Sequence, residues 1–223
     1  DDDTVIPMDL INSAIDRDVT LAASEPILWG LDVARFGGDN SALCVRQGNT
    51  VLEITTFNSM DLMQLCGAIK NRYDDSTVME QPQEILVDVI GLGSGVVDRL
   101  AEQNLPVRGV NVAEAPSTKK NYLNLRAELW FAIKDWLAQR DCRLPNNDEL
   151  ASELAAPQYK YTSSGKIKIE SKDEMRKRGI KSPDKADALA LTMASSAASF
   201  GGSQAFMGYN FKKPLKSRIF RVG

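Results

Sequence analysis

Histidine is absent from the 223-residue sequence. Its absence excludes Ser-His-Asp and Cys-His nucleophilic catalysis, histidine general bases and histidine-ligated zinc. Any hydrolytic chemistry must therefore use carboxylates, lysines or a hard metal ion.

Cysteine is scarce, and long apolar runs are missing. Cys44, Cys66 and Cys142 are widely spaced, which favours neither a disulfide framework nor a zinc site. No run reaches the roughly 18 apolar residues that a membrane span needs, and no signal-like segment opens the chain. We therefore expect a reduced, cytoplasmic setting without membrane contact. The net charge of −3 does not indicate nucleic-acid binding by the molecule as a whole.

Composition predicts one large globular domain with short flanking segments. Hydrophobic residues make up 43% of the chain and charged residues 26%, which is ordinary for a soluble fold. We expect residues 1–24 to form an acidic lead-in or linker with a short helix over 8–16. Residues 25–198 would form the domain, and residues 199–223 a basic, flexible tail.

Hydrophobic periodicity predicts the order of the elements. Strands are expected over 27–34, 41–47, 50–57, 84–90 and 107–112, with a β-hairpin over 158–169. Helices are expected over 61–73, 96–103, 119–140, 148–156 and 182–198, with Asn58 or Ser59 placed to cap the first of them. Trp130 and Trp136 of the long helix are expected in the core. Three antiparallel strands followed by crossover units predict an α/β fold with a mixed sheet flanked by helices.

The stretch ILWGLDVARFGGDNSALCV, from Ile27 to Val45, places a carboxylate inside a buried strand. An ionised Asp32 there costs several kcal/mol unless a partner compensates it. A bound metal ion is a usual compensation where further carboxylates converge.

Three more acids occur at the ends of predicted elements. Asp88 ends the fourth strand, while Asp184 and Asp187 open the last helix and share one of its faces. If the first and fourth strands are neighbours, Asp32 and Asp88 point from one sheet edge at a common site. A histidine-free cluster of this kind suits Mg²⁺ or Mn²⁺. Two such ions would activate a water and stabilise the leaving oxygen in phosphodiester cleavage.

Three acid-containing segments occur in order with the expected elements between them: LDVARFGGDNSAL from Leu31, VDVIGLGSG from Val87 and KSPDKADAL from Lys181. Together they resemble the nuclease domain of tailed-phage terminase large subunits. The hairpin and the following segment up to Glu174 are also similar, so the resemblance covers residues 25–198. It implies a ribonuclease H-like fold and cleavage of concatemeric viral DNA during genome packaging, in the cytoplasm of the host.

The resemblance also implies roles for individual residues and partners. Asp32 and Asp88 would be the first two metal ligands, and the third would be Asp187, with Asp184 a close second. Asp39 would touch the second of two Mg²⁺ or Mn²⁺ ions. The implied partners are double-stranded DNA, a packaging ATPase domain in the same full-length chain, the terminase small subunit and the portal protein. The sequence contains no GxxxxGK[ST] motif, so translocation is not its own activity.

A basic segment directly precedes the last group of acids. Between Lys160 and Lys185 there are nine basic side chains against four acidic ones. A solvated charged face is the ordinary interpretation, but the position beside the expected site favours contacts with DNA phosphates. The candidate DNA-binding residues are Lys160, Lys166, Lys168, Lys172, Arg176, Lys181 and Lys185.

Two other functions stay open at this point. The segment GLDVARFGGDNSA is also similar to the first phosphate loop of actin-like ATPases and sugar kinases, which would make the chain a nucleotide-binding domain. A non-catalytic module that docks the packaging motor, with vestigial acids, is the other alternative. The GxGxG pattern after Asp88 could bind phosphate, but a tight strand-to-helix connection is the better interpretation of its spacing.

Overall fold

A five-stranded mixed sheet with the order β3-β2-β1-β4-β5 forms the centre of the protein. The computed structural model describes residues 3–34, 40–116 and 121–195. The first three strands are antiparallel to one another, whereas β4 lies parallel to β1 and β5 parallel to β4. The strands are β1 (Ile27–Asp32), β2 (Ser41–Gln47), β3 (Thr50–Phe57), β4 (Glu84–Asp88), β5 (Val107–Val110), and the separate hairpin β6 (Tyr159–Tyr161) and β7 (Ile167–Ile169).

Helices cover both faces of this sheet. They are α1 (Met8–Ala14), α2 (Leu62–Asp75), α3 (Gly93–Glu102), α4 (Leu125–Ala138), α5 (Asp148–Ala155), α6 (Lys172–Lys177) and α7 (Asp184–Thr192). The apolar sides of α2 and α3 pack on one face. On the other face α1, α4, α5 and α7 build the larger core. Side chains alternate along β1, so Trp29 and Leu31 enter the first core while Leu28 enters the second.

The predicted mixed sheet flanked by helices is confirmed, and several element boundaries differ. Helix α2 is capped by Asp61, which forms a capping box with Gln64, so the predicted caps at Asn58 and Ser59 were wrong. Helix α4 begins only after Asn124, whose side chain accepts a hydrogen bond from the backbone N–H of Ala127. Helix α6 was not predicted.

The segment before β1 packs against the domain. Val5, Ile6 and Ile11 are fully buried against α4 and α5. The backbone of the same segment reaches the base of the β6–β7 hairpin, because the N–H of Tyr159 donates to the carbonyl of Asp3 at 2.8 Å. Residues 3–16 therefore belong to the packed structure. The predicted tail over 199–223 lies outside the described residues. Among those that are described, no helix is long and apolar enough to cross a lipid bilayer.

Two glycines set the approach of the helices to the sheet. A Cβ on Gly30 would lie 2.0 Å from the carbonyl oxygen of Ala188, so only glycine allows α7 to lie this close to β1. A Cβ on Gly93 would lie 1.7 Å from the carbonyl oxygen of Asp88. The glycine-rich segment after β4 therefore makes a tight strand-to-helix connection.

Candidate active site

Two of the predicted acids lie side by side at one end of the sheet. β1 and β4 pair in parallel with Leu31 opposite Val87, and Asp32 and Asp88 follow these residues on their strands. Side chains an even number of positions apart on a strand point to the same face of the sheet. Leu28 on β1 and Leu86 on β4 enter the core on the face where α7 packs, so Asp32 and Asp88 lie on that face as well. The sheet therefore brings both carboxylates to the same side.

The first turn of α7 brings two further carboxylates to this place. Asp184 and Asp187 are each 8% exposed. Oδ2 of Asp184 accepts a hydrogen bond from the backbone N–H of Asn40 at 3.3 Å, at the start of β2. The close packing of α7 on β1 at Gly30 is the reason that this turn reaches Asp32.

An ammonium group lies among these carboxylates. Nζ of Lys172, on α6, is 3.1 Å from Oδ2 of Asp32, 3.5 Å from Oδ1 of Asp184 and 3.4 Å from Oδ2 of Asp187. Ser171 places this lysine by capping α6 in a capping box with Glu174. The ammonium of Lys172 thus supplies positive charge at the place where a bound cation would be attracted by the carboxylates.

Burial and charge perturb the acids differently. Burial raises the pKa of Asp32 to about 7, against the attraction of Lys172. Burial also raises the pKa of Asp88, whose Oδ1 accepts a hydrogen bond from the N–H of Ile90 at 3.0 Å. For Asp187 the cations outweigh burial: Arg126 and Lys172 lower the pKa of its carboxyl group. The three carboxyls therefore differ in how readily they ionise without a further cation.

Helix α4 also binds Asp187. Nε1 of Trp130 donates to Oδ1 of Asp187 at 2.9 Å, and Nη2 of Arg126 donates to the same oxygen at 3.2 Å. Trp130 is fully buried, as expected, but it also has this polar role, which the sequence did not reveal. Arg126 and Trp130 are four positions apart on one face of α4, and this spacing was the signal that could have paired them.

Helix α5 supports the start of α7. Oε2 of Glu153 accepts a hydrogen bond from the backbone N–H of Ala186 at 3.0 Å, and Lys185 forms a salt bridge with Glu149. Burial raises the pKa of Glu153 to about 7, and Asp184 contributes to this shift. Glu153 was not among the predicted site residues.

The predicted DNA-binding residues divide into two groups. Lys168, Lys172 and Arg176 line a cavity of about 340 Å³ together with Asp32, Asp88 and Asp187. Lys160 and Lys168 point from the hairpin to Glu174 of α6, at 2.9 and 3.4 Å. Lys185, on α7, is instead buried and forms a salt bridge with Glu149 of α5. Neither Lys166 nor Lys181 lines this cavity. Asp184 is also not among the lining residues, and Asp39 lies outside the described residues.

The chemistry of the donors suits a hard divalent ion, but their present arrangement does not form a finished metal site. Over residues 3–34, 40–116 and 121–195, no three acidic, cysteine or histidine side chains are grouped closely enough to hold a metal ion. The ammonium of Lys172 lies instead within 3.5 Å of Asp32 and of both acids of α7.

Comparison of structures places the fold in a known class. The protein has the ribonuclease H-like fold of the nuclease domains of phage large terminase subunits, so the predicted resemblance is confirmed at the level of the fold. No protein-family model matches the sequence, and no curated protein matches it either.

Individual structures show the extent of the similarity. The nuclease domain of the large terminase subunit gp2 of bacterial virus Sf6 matches with a TM-score of 0.72 and 20% identity, over 85% of this chain and 97% of that one. The large terminase nuclease of thermophilic phage G20c, with bound magnesium, matches with a TM-score of 0.64 and 14% identity, over 86% and 97%. The nuclease domain of Thermus phage P74-26 matches with a TM-score of 0.60 and 12% identity, over 84% and 93%.

Proposed function

We propose that this protein is a divalent-metal-dependent endonuclease that cleaves double-stranded DNA, namely concatemeric viral DNA during genome packaging. The observation that carries the proposal is the convergence of Asp32, Asp184 and Asp187 on one ammonium, with Asp88 on the neighbouring strand. Buried carboxylates of this kind need positive charge, and Lys172 and Arg126 supply part of it.

The residues present fit a hard cation in donor type and charge. Asp32, Asp88 and Asp187 would hold the ions, because all three line the same cavity. Asp184, which is bound by the N–H of Asn40, is the weaker candidate for the third ligand. The ions would supply the Lewis acidity for attack of water on a phosphodiester and for departure of the oxygen. Two ions, and a contact of Asp39 with the second, remain predictions.

The solved neighbours support a metal requirement. Structures of the Sf6 domain with manganese and with calcium, and of the G20c nuclease with magnesium and with cobalt, have the same fold as this chain. By analogy, we expect Mg²⁺ or Mn²⁺ to act here.

Basic side chains at the cavity would position the DNA. Lys168 on β7 and Arg176 on α6 line the cavity beside the acids. Their cationic groups would bind phosphates on either side of the scissile bond, without reading base sequence. We further expect the domain to act with a packaging ATPase domain of the same full-length chain, the small subunit and the portal, in the host cytoplasm.

A supercoiled-plasmid assay tests this proposal. Wild-type protein is incubated with Mg²⁺, Mn²⁺ or EDTA, next to Asp32→Asn and the control Asp98→Asn. Asp98 is exposed on α3, on the opposite face of the sheet, so its substitution should leave cleavage unchanged. We expect nicked and linear products only with metal, and loss of cleavage in Asp32→Asn with its fold retained.

Two outcomes would contradict the proposal. A fully active Asp32→Asn variant would exclude Asp32 as an essential ligand. If the wild-type chain neither cuts DNA nor binds Mn²⁺ by calorimetry, the endonuclease assignment fails and the non-catalytic docking module becomes the better account.

A further inference from the structure

The carboxylate of Asp187 is bound by side chains of two different helices. From α4, the indole N–H of Trp130 donates to Oδ1 at 2.9 Å. The guanidinium of Arg126 also lies on this side, at 3.2 Å from Oδ1 and 3.5 Å from Oδ2. From α6, the ammonium of Lys172 is 3.4 Å from Oδ2. Oδ1 therefore accepts from the indole and Oδ2 faces the ammonium, while the guanidinium lies closer to Oδ1 than to Oδ2.

The donors to Oδ1 are themselves fixed. Trp130 is fully buried in the core, and the guanidinium of Arg126 lies over its ring at 5.8 Å from the ring centre. Nη1 of Arg126 donates to the backbone carbonyl of Glu170 at 2.8 Å. A neutral donor held in a packed core cannot follow the carboxylate if it rotates, so Trp130 defines where Oδ1 lies.

We propose that Trp130 and Arg126 are positioning residues that occupy Oδ1 of Asp187, so that this acid presents only Oδ2 to the cation of the site. The inference rests on the proposed function, because it concerns the metal-binding form of the same acids. It specifies a single-oxygen contact for Asp187. A carboxylate held by a rigid second partner gives up less rotational freedom when the other oxygen binds an ion.

Arg126 also connects this acid with the segment that carries the competing lysine. Glu170, whose carbonyl it binds, is two residues before Lys172, and Ser171 between them caps α6. One guanidinium thus holds both Asp187 and the backbone at the start of α6. Arg126 therefore links Asp187 directly to the backbone that leads into the helix of Lys172.

The same helix offers a matched control. Trp136 lies six positions further along α4, is 1% exposed, and its Nε1 donates to Oδ1 of Asn49 at 3.1 Å, in the turn between β2 and β3. Trp130→Phe and Trp136→Phe each remove one buried indole N–H and retain an aromatic ring. Only the first removes a donor to an acid of the site.

The test compares the affinity of these variants for Mn²⁺ by isothermal titration calorimetry, with thermal unfolding measured beside it. We expect Trp130→Phe to weaken Mn²⁺ binding about tenfold, since loss of a partner that orients a ligand typically costs at least this much. Trp136→Phe should lower thermal stability to a similar extent and leave the affinity at the wild-type value.

A double-mutant cycle separates positioning from general loosening of the core. In an Asp187→Asn background, Trp130→Phe should change the Mn²⁺ affinity by less than about twofold, because the group that it positions is already altered. Equal affinities for Trp130→Phe and Trp136→Phe in the presence of Asp187, or fully additive effects in the cycle, would overturn the inference. A wild-type chain that does not bind Mn²⁺ at all would contradict the proposed function instead.

Discussion

Substitution of Lys172 by methionine should lower the stability of the metal-free protein and increase the stabilisation that a bound metal ion provides. The ammonium of this residue lies within 3.5 Å of carboxylate oxygens from three residues that are each less than a tenth exposed. Methionine retains much of the apolar stem but removes the charge. Asp32, Asp184 and Asp187 would then lose their shared cation.

The expected size of the effect follows from burial. Removal of one partner of a fully buried ion pair costs about 3–5 kcal/mol, because it leaves the other charge uncompensated. The side chain of Lys172 is 34% exposed, so solvent screens part of this interaction and about 2 kcal/mol is a reasonable expectation. For a chain of this length, that corresponds to a fall in Tm of about 4–8 °C.

A metal ion should reverse this loss. In the wild-type protein an incoming cation must displace the ammonium, whereas in Lys172→Met it meets carboxylates without that competitor. At a concentration of 100 times its Kd, an ion adds about 2.7 kcal/mol to the stability of the folded state. We therefore expect excess Mn²⁺ to raise the Tm of Lys172→Met more than that of the wild-type protein.

Thermal unfolding in EDTA and in excess Mn²⁺ provides the measurement. Lys177→Met is the control, since Lys177 is an exposed residue on the same short helix. It should leave both values of Tm near those of the wild-type protein. The reasoning is refuted if Lys172→Met unfolds at the wild-type temperature in EDTA, or if Mn²⁺ shifts the variant and the wild-type protein equally.

Two further predictions concern the elements that place the acids. Burial raises the pKa of Glu153 from 4.5 to about 7, so its stabilising contribution is fully present below about pH 4.5 and is lost as the pH rises through 7. Glu153→Gln can still accept the N–H of Ala186, so it should remove up to about 3 kcal/mol of this pH dependence without removing the hydrogen bond. The free energy of unfolding is measured between pH 5 and 8, and a variant that keeps the wild-type slope would contradict the prediction. Gly30→Ala should destabilise the fold by about 3 kcal/mol and reduce plasmid cleavage, because its Cβ would meet the carbonyl oxygen of Ala188. Gly67→Ala is the control, because open space surrounds the new Cβ in α2, and it should stabilise the fold by about 1 kcal/mol in chemical denaturation. Similar losses of stability in both variants would argue against the close contact at Gly30 as the cause.

The sheet and its acids were predictable because they follow from local patterns. Asp32 interrupts an apolar run, and Asp88 ends another before a glycine-rich turn. Parallel pairing of the two strands then places both acids at one edge, whatever the details of the helices. Asp184 and Asp187 share a helical face by their spacing alone.

Helix α6, which carries Lys172, could not be predicted from local patterns of this kind. α6 has only six residues, too few for a hydrophobic period, and its start depends on the capping box of Ser171 and Glu174. That signal is present in the sequence, but it lies in a segment with nine basic residues, which reads as a charged surface. Nothing local distinguishes Lys172 from its neighbours, since its role depends on where α7 and β1 lie.

The contacts of Asp187 depend on tertiary structure in the same way, and they suggest how the charges of the site balance. Lys172 forms salt bridges with Asp32, Asp184 and Asp187, Arg126 forms one with Asp187, and Asp88 lies on the strand next to Asp32. Burial and the two acids of α7 raise the pKa of Asp32 to about 7, and the attraction of Lys172 offsets this rise only in part. Arg126 is also hydrogen-bonded to the backbone carbonyl of Glu170, whereas Lys172 is a flexible side chain that is one-third exposed. A divalent ion that displaces Lys172 would therefore replace one positive charge with two and bring the site closer to neutrality, without disturbing the contacts that α4 makes with Asp187.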